Sequence, residues 1–212
     1  MLARLIAVML LSLCVLAVAS VAAEFGLDPK TANDSVHFRS TAKLEFIEGE
    51  TSDLTGGFAL DPTEPTAVTG VLRVDLKTLR TGIETRDEHM RERHLHTEDY
   101  PFAFFEIESA SDLPPSLQPG NEYTGKISGL FYIHGIKREL TADLQVITSP
   151  GDDISEIDIR ATFSIELDDY KIPRPKLLFL KLSKVIEVEV MFTAFKDLQA
   201  EAIELPDWEL LD

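Results

Sequence analysis

The sequence has almost no cysteine. The single one, Cys14, lies inside an apolar N-terminal run, so the remainder of the 212 residues cannot form a disulfide bond. A domain without disulfides must be stabilised by its hydrophobic core, and a chain of this length can bury about 70% of the surface that its unfolded form exposes. The sequence therefore predicts one sizeable domain that depends on packing.

Positive charge is also scarce. The chain has 20 Lys and Arg residues against 37 Asp and Glu residues, which gives a formal net charge of −17. Such a chain is repelled by phosphate backbones and by anionic lipid surfaces. We therefore expect no nucleic acid among its partners and no adsorption to a membrane through charge.

Short enzyme motifs are missing as well. The sequence contains no G-x-S-x-G elbow, no glycine-rich phosphate loop and no H-E-x-x-H motif. We therefore expect neither an enzyme nor a cofactor. A hydrolase whose catalytic residues are dispersed along the chain stays open as an alternative.

The N-terminus has the organisation of a signal peptide. A positive charge in Met1–Arg4 precedes the apolar run Leu5–Val18, and Val21-Ala22-Ala23 supplies small residues for cleavage before Glu24. The run is shorter than the roughly 20 apolar residues that span a bilayer. We therefore predict that residues 1–23 are a cleaved signal peptide, that the protein is exported to the periplasm, and that it is not stably inserted in a membrane.

Apolar and polar residues alternate along much of the remaining chain, with the period of two that is typical of half-buried strands. The clearest run places apolar residues at one parity: Ile186, Val188, Val190, Phe192 and Ala194. Together with similar segments elsewhere, which Gly- and Pro-containing turns separate, this run predicts about eight strands. They are Ser35–Phe46, a segment near Phe58, Val68–Leu76, Phe102–Ile107, Tyr123–Ile133, Leu140–Val146, Ile157–Leu167 and Ile186–Ala194.

Long consecutive antiparallel strands favour a closed barrel, because closure leaves no exposed edge. A β-sandwich is the structural alternative. Eight strands enclose an interior that is either filled by side chains or able to hold one ligand. We assign residues 24–196 to this barrel and residues 197–212 to an acidic C-terminal tail.

One segment departs from the strand pattern. Thr85 and Glu88 have the spacing of a capping box, and good helix formers follow as far as His96. A short helix is therefore predicted. Helical geometry places His94 and His96 on different faces, so we predict no metal site among the histidines and acids of this segment.

Several motifs resemble one known family. Gly70–Leu76, followed by Thr81-Gly82 and Arg86–Met90, is similar to the third strand and helix of the YceI-like proteins, and Gly129–Lys137 resembles the hallmark strand and turn of that family. The family consists of exported, lipocalin-like barrels associated with polyisoprenoid lipids. The resemblance implies an all-β fold: an antiparallel, lipocalin-like β-barrel of about eight strands with one short helix.

A hollow barrel would hold the lipid among inward-facing apolar residues, although packing in a filled core is the alternative for each of them. The candidates are Phe38, Phe46, Phe58, Leu72, Val74, Leu76, Phe104, Phe131, Ile133, Phe163, Ile165, Val188 and Phe192. Arg86, Arg91 and Arg174 are candidates for the polar end of the lipid, because arginine binds phosphate oxygens in a bidentate manner. Ordinary surface charge is the alternative for these arginines.

The expected function is that of a periplasmic protein that sequesters or carries a long-chain polyisoprenoid or an isoprenoid-quinone-like lipid. One alternative is an interaction module of the cell envelope, to which Leu198, Leu205 and Trp208 in the tail would contribute. The other is an uncharacterised hydrolase that acts on isoprenoid lipids. The sequence leaves formation of a homodimer open.

Overall fold

The computed structural model describes residues 22–28, 30–31, 34–41, 46–174, 176–177, 180–181 and 183–210. Residues 1–21 of the predicted signal peptide lie outside these ranges. In the described part of the chain no helix is long and apolar enough to cross a membrane.

Strands make up most of the described residues, as the alternation predicts. They are β1 (Ala23–Leu27), β2 (Ser35–Thr41), β3 (Phe46–Thr51), β4 (Leu54–Leu60), β5 (Thr69–Asp75), β6 (Phe102–Ser111), β7 (Glu122–Ile133), β8 (Ile136–Thr148), β9 (Glu156–Glu166), β10 (Lys176–Leu177), β11 (Leu180–Lys181), β12 (Val185–Lys196) and β13 (Glu209–Leu210).

The strands close into an antiparallel barrel with eight positions around its circumference. Neighbouring strands pair in the order β4-β5-β6-β7-β8-β9-β12. β1 and β2 both pair with β12 and occupy one position, while β3 and β4 occupy the next. The all-β barrel with one short helix is therefore confirmed, and the pairing of β1 with β12 excludes the open sandwich.

In the β9–β12 pair, alternate residues face the interior of the barrel and the solvent. Phe163 lies opposite Val188, and Ile159 lies opposite Phe192, with these apolar side chains turned inward. Glu189 lies between them on the outer face, where it pairs with Arg160. The register is fixed because a slip of one residue would turn every apolar side chain towards solvent.

The predicted strand over Ser35–Phe46 is wrong as a single element. The chain instead forms the antiparallel β2–β3 pair, in which Thr41 lies opposite Phe46. The predicted turn at His134-Gly135 does form: φ is 54° at His134 and 81° at Gly135, and this two-residue turn sets Ile133 opposite Ile136.

The short helix begins one residue earlier than its predicted cap. α1 (Glu84–His89) follows Ile83, which makes no side-chain cap, and continues into a π-helix over Met90–Leu95. The capping box at Thr85 is therefore wrong. Asp87 fixes the start of the helix instead, because its Oδ1 accepts hydrogen bonds from the backbone N–H of Thr81, at 2.8 Å, and from the Thr81 hydroxyl.

The C-terminal residues 197–210, here called the strap, cross the outside of the barrel. A Cβ at Gly26 would lie 2.4 Å from the carbonyl oxygen of Leu198, so only glycine allows the strap to pass. Glu201 forms an ion pair with Arg73 at 3.0 Å. Trp208 packs against aromatic rings of the barrel wall, and β13 then pairs with the start of β8.

Candidate binding cavity

A cavity of about 800 Å³ lies inside the barrel. Inward-facing side chains from each of the eight strand positions line it, together with residues of the helical segment. Of the residues predicted from the sequence, thirteen border it: Phe38, Phe58, Leu72, Val74, Leu76, Arg86, Phe104, Phe131, Ile133, Phe163, Ile165, Val188 and Phe192. This volume falls within the range typical of ligand pockets.

Burial distinguishes a hollow part of the interior from a filled part. Leu72, Val74 and Phe163 point inward, yet each is only partly buried, because part of its surface faces the cavity. Further along the same interior, Ile157 and Ala194 are both 0% exposed. The interior is therefore not packed uniformly, and its open part is walled by hydrocarbon.

Two predicted aromatic residues have their rings outside the cavity. Phe46, at the start of β3, is 67% exposed, and the guanidinium of Arg39 lies 6.0 Å from its ring. Phe104 borders the cavity, but its ring packs on the outer face against Tyr132 and Trp208, at centroid distances of 6.2 and 6.0 Å. The outer face of β6 is thus aromatic because the strap covers it.

Two predicted arginines also lie away from the cavity. Arg91 donates from Nη1 to the carbonyl oxygen of Leu79 at 3.4 Å, which links the helical segment to the turn before it. Arg174 donates to Asp168 Oδ2 at 3.3 Å. Both side chains therefore have contacts within the protein.

Other lining residues were missed by the sequence argument. Leu140, Leu144 and Ile159 line the cavity, and their parity along β8 and β9 could have identified them. Leu113 and Leu117 come from the connection between β6 and β7. No alternation marks these two residues, since they belong to a loop.

The cavity reaches the surface beside the helical segment. Among the described lining residues, those that are exposed are Ile83, Thr85, His89 and Arg93. We call this opening the mouth, and Glu84–Leu95 the mouth helix. The remaining lining residues are buried or partly buried, so the mouth helix marks the route between the cavity and solvent.

Polar groups of the wall are concentrated at the mouth. The lining residues with polar side chains are Ser40, Thr81, Thr85, Arg86, His89, Arg93 and His94, and the described lining contains no carboxylate. Arg86 is held in place by Thr81, since its Nε donates to Thr81 Oγ1 at 2.7 Å and its Nη2 donates to the Thr81 carbonyl at 3.0 Å.

Histidines connect the mouth helix to the segment after β9. His94 Nδ1 donates to the carbonyl oxygen of Pro173 at 2.8 Å. Burial lowers the pKa of His94, and the nearby positive charges of His89 and Arg93 lower this pKa further, although the Pro173 carbonyl opposes them. The His94 ring is therefore mainly neutral at pH 7.

A second histidine contact lies next to the first. His134 Nδ1 donates to the carbonyl oxygen of Tyr170 at 3.0 Å, and its Nε2 lies 2.7 Å from His96 Nδ1. Burial lowers the pKa of His134, and the neighbouring His96 acts in the same direction. Within the described residues no three His, Cys, Asp or Glu side chains are grouped closely enough to hold a metal ion.

Solved structures with the same architecture provide a comparison. BcnA of Burkholderia cenocepacia superposes with a TM-score of 0.64 at 12% identity, covering 79% of this chain and 98% of that chain. A polyisoprenoid binding domain from Saccharophagus degradans, implicated in plant cell wall breakdown, gives 0.63 at 21% identity, with 82% and 99% covered. The YCEI protein of Campylobacter jejuni gives 0.58 at 17% identity, with 72% and 86% covered. At these identities the likeness concerns the fold.

Sequence comparison assigns the family. No curated protein matches the chain. The family model of the YceI-like domain matches residues 25–194, which span the barrel from β1 into β12. The motifs in Gly70–Leu76 and Gly129–Lys137 both lie within this match, and the chain therefore belongs to the YceI-like family.

Proposed function

We propose that this chain is an exported, non-catalytic carrier that encloses one long-chain polyisoprenoid or isoprenoid-quinone-like lipid in its barrel. The observation that carries the proposal is the cavity of about 800 Å³, whose walls are apolar except at the mouth. An isoprenoid chain consists of hydrocarbon, so it matches this wall without requiring polar partners along its length.

The energy of such binding comes from removing the chain from water. Burial contributes roughly 0.8 kcal/mol per CH₂ group, so about ten enclosed carbons give about 8 kcal/mol before the costs of association. A net free energy of about 8 kcal/mol corresponds to a dissociation constant near 1 μM, so more than about ten carbons must be enclosed once the costs of association are subtracted. Membership of the YceI-like family and the polyisoprenoid binding domain among the structural relatives support the same ligand class.

The proposal is tested on protein purified gently from its native cell. Mass spectrometry of an organic extract should identify a prenyl lipid in stoichiometric amount, and the intact mass should begin at or near Glu24 if the protein is exported as proposed. Protein stripped of lipid should then bind a polyisoprenoid alcohol with micromolar or better affinity. Absence of any apolar ligand from the extract, combined with no binding of the alcohol, would refute the carrier function.

A further inference from the structure

We propose that the mouth end of the barrel docks on the surface of a neutral bilayer through an apolar rim, formed by Phe46, Ile83 and Val185, so that the lipid enters the cavity without crossing water. The proposal rests on the proposed carrier function and adds the surface from which the carrier takes its ligand. A long prenyl chain partitions strongly into hydrocarbon, so a direct path from the bilayer to the cavity removes the costly exposure of that chain to water.

Exposed apolar side chains are concentrated at the mouth end. Outside the strap, the large apolar residues that are exposed in the described part of the chain are Phe46, Ile83, Ile147 and Val185. Ile147 lies at the far end of β8, whereas the other three are 67%, 51% and 39% exposed at the end where the cavity opens. Single exposed apolar residues are ordinary, but a group of them around the opening of an apolar cavity indicates an interaction surface.

Strand register places Phe46 and Val185 close together on the rim. Thr41, the last residue of β2, lies opposite Phe46, and Ser40 lies opposite Ile186, the residue after Val185. Ser40 and Ile186 line the cavity. Because successive side chains of a strand alternate between its two faces, Phe46 and Val185 point outward on either side of Thr41, about 10 Å apart.

Ile83 extends the rim to the mouth helix. It immediately precedes this helix and borders the cavity. Three residues earlier, the Arg80 N–H donates to the Glu50 carbonyl oxygen at 3.0 Å, and the Glu50 N–H donates to the Arg80 carbonyl oxygen at 2.8 Å. This bridge holds the segment before the mouth helix alongside β3, the strand that begins with Phe46. The rim therefore includes both β3 and the start of the mouth helix.

Charge favours a neutral surface over an anionic one. The formal net charge of −17 opposes contact with anionic lipids. Charged residues next to the rim are paired within the protein, since Arg39 Nη2 lies 2.6 Å from Glu48 Oε1 and Lys184 Nζ lies 3.1 Å from Asp168 Oδ2. The rim thus presents hydrocarbon beside compensated charges, which suits shallow burial at the boundary between zwitterionic headgroups and acyl chains.

The sequence of the connection between β9 and β12 is a second indication. Glu166, where β9 ends, lies opposite Val185, where β12 begins, so both ends of this connection lie at the rim. Its sequence has four consecutive apolar residues, 177–180, between Lys176 and Lys181. Apolar residues flanked by lysines are typical of segments that contact a lipid surface. This connection is not counted in the rim, but it favours the same kind of partner.

The experiment compares binding to vesicles with binding of the lipid itself. Lipid-free protein without its signal peptide is mixed with phosphatidylcholine vesicles, and the bound fraction is measured by flotation. Uptake of a long polyisoprenoid alcohol from the same vesicles is followed over time, and the affinity for a short, water-soluble prenyl alcohol is measured by titration calorimetry. We expect vesicle binding that does not increase with anionic phosphatidylglycerol and changes little with salt, since salt does not screen apolar contacts.

Variants assign the effect to the rim. Phe46→Thr and Val185→Thr remove apolar surface and keep a side chain suited to a strand, and neither residue lines the cavity. The double variant should bind vesicles about tenfold more weakly, with a matching loss in the rate of lipid uptake, and keep its affinity for the soluble alcohol within about twofold. Ile147→Thr is the matched control, because it removes an exposed apolar side chain from the opposite end of the barrel.

A fluorescent reporter locates the contact. Trp208 is the single tryptophan of the chain, so Trp208→Phe provides a background without one. In this background, vesicles of brominated phosphatidylcholine should quench the fluorescence of Phe46→Trp and leave that of Ile147→Trp unchanged. Quenching at both positions, or only at residue 147, would overturn docking through the mouth end.

The remaining outcomes separate docking from carrying. Normal affinity for the soluble alcohol without any vesicle binding would overturn docking and leave the carrier function intact. Vesicle binding that survives the double variant, or that requires anionic lipid, would overturn the assignment to an apolar rim. A dimer that forms without vesicles and dissociates in the double variant would assign the rim to a second copy of the chain instead. Failure of either alcohol to bind would refute the carrier function itself.

Discussion

The two ends of the barrel are built from the same strands but are packed differently. At one end, which we call the closed end, Phe25 stacks on Phe58 with ring centroids 5.5 Å apart, and Ala194 and Ile157 have no exposed surface. Towards the mouth, Val74 and comparable inward-facing residues border an open cavity. Both ends show the same alternation in sequence, so alternation defines an interior without saying whether that interior is filled.

Additional segments explain the difference. The closed end receives β1, with Phe25 and Leu27, and the loop residues Leu113 and Leu117. The other end receives the mouth helix, which directs arginines and histidines towards the cavity beside the apolar side chains of Met90 and Leu95. Stability is therefore concentrated at the closed end, while the capacity to bind a ligand lies towards the mouth.

The largest contrast should appear when an aromatic ring is removed from each region. Phe25→Ala should lower the free energy of unfolding by about 3–5 kcal/mol, because it leaves a cavity where packing is complete. Phe163→Ala should lower it by only about 1–2 kcal/mol, since the ring is only partly buried and already borders open space. Urea unfolding of the lipid-free proteins measures both values. Equal losses would show that the two regions are packed alike.

Enlarging a side chain should affect lipid binding towards the mouth and stability at the closed end. Val74→Phe places a ring in the cavity, so the free energy of unfolding should change by less than about 1 kcal/mol while lipid affinity falls about tenfold or more. Ala194→Leu is the matched change at the closed end, where extra methyl groups should cost about 1–3 kcal/mol of stability and leave lipid affinity unchanged. Thermal unfolding and lipid titration together distinguish them. A strongly destabilised Val74→Phe that retains lipid normally would remove this face from the cavity.

The sequence predicts the barrel and much of its lining because parity along a strand is a local property. Leu72, Val74 and Phe163 were found in this way. Phe46 was misplaced because it begins β3, which is antiparallel to β2, and parity does not carry from one strand to the next. Phe104 was ambiguous because β6 is apolar on both faces, and its outer face is covered by Trp208 of the distant strap.

Contacts between distant segments could not be predicted. His96 and His134 are 38 positions apart, and nothing local to either residue indicates that their rings meet. Because a carbonyl oxygen only accepts, neutral His134 carries its hydrogen on Nδ1, towards Tyr170, and its Nε2 accepts from His96. Protonation of His134 at Nε2 would therefore remove the acceptor of this contact.

The smallest expected effect is a difference between the two ends in how the free energy of unfolding depends on pH. Burial holds the folded pKa of His134 below 6.5, so as pH falls from 6.5 towards that value the unfolded state binds more protons and the free energy of unfolding decreases. His134→Asn removes this titration and keeps the turn, because Asn tolerates positive φ. It should therefore lose less stability than the wild type between about pH 7.5 and about pH 5.5, a range in which ordinary carboxylates stay ionised.

The control is Ala194→Leu, which weakens the closed end without removing a titrating group. Its free energy of unfolding should change with pH as steeply as that of the wild type. Chemical unfolding at each pH provides the measurement, and an unchanged slope in His134→Asn would show that the histidine contact at the mouth end does not make the fold sensitive to acid.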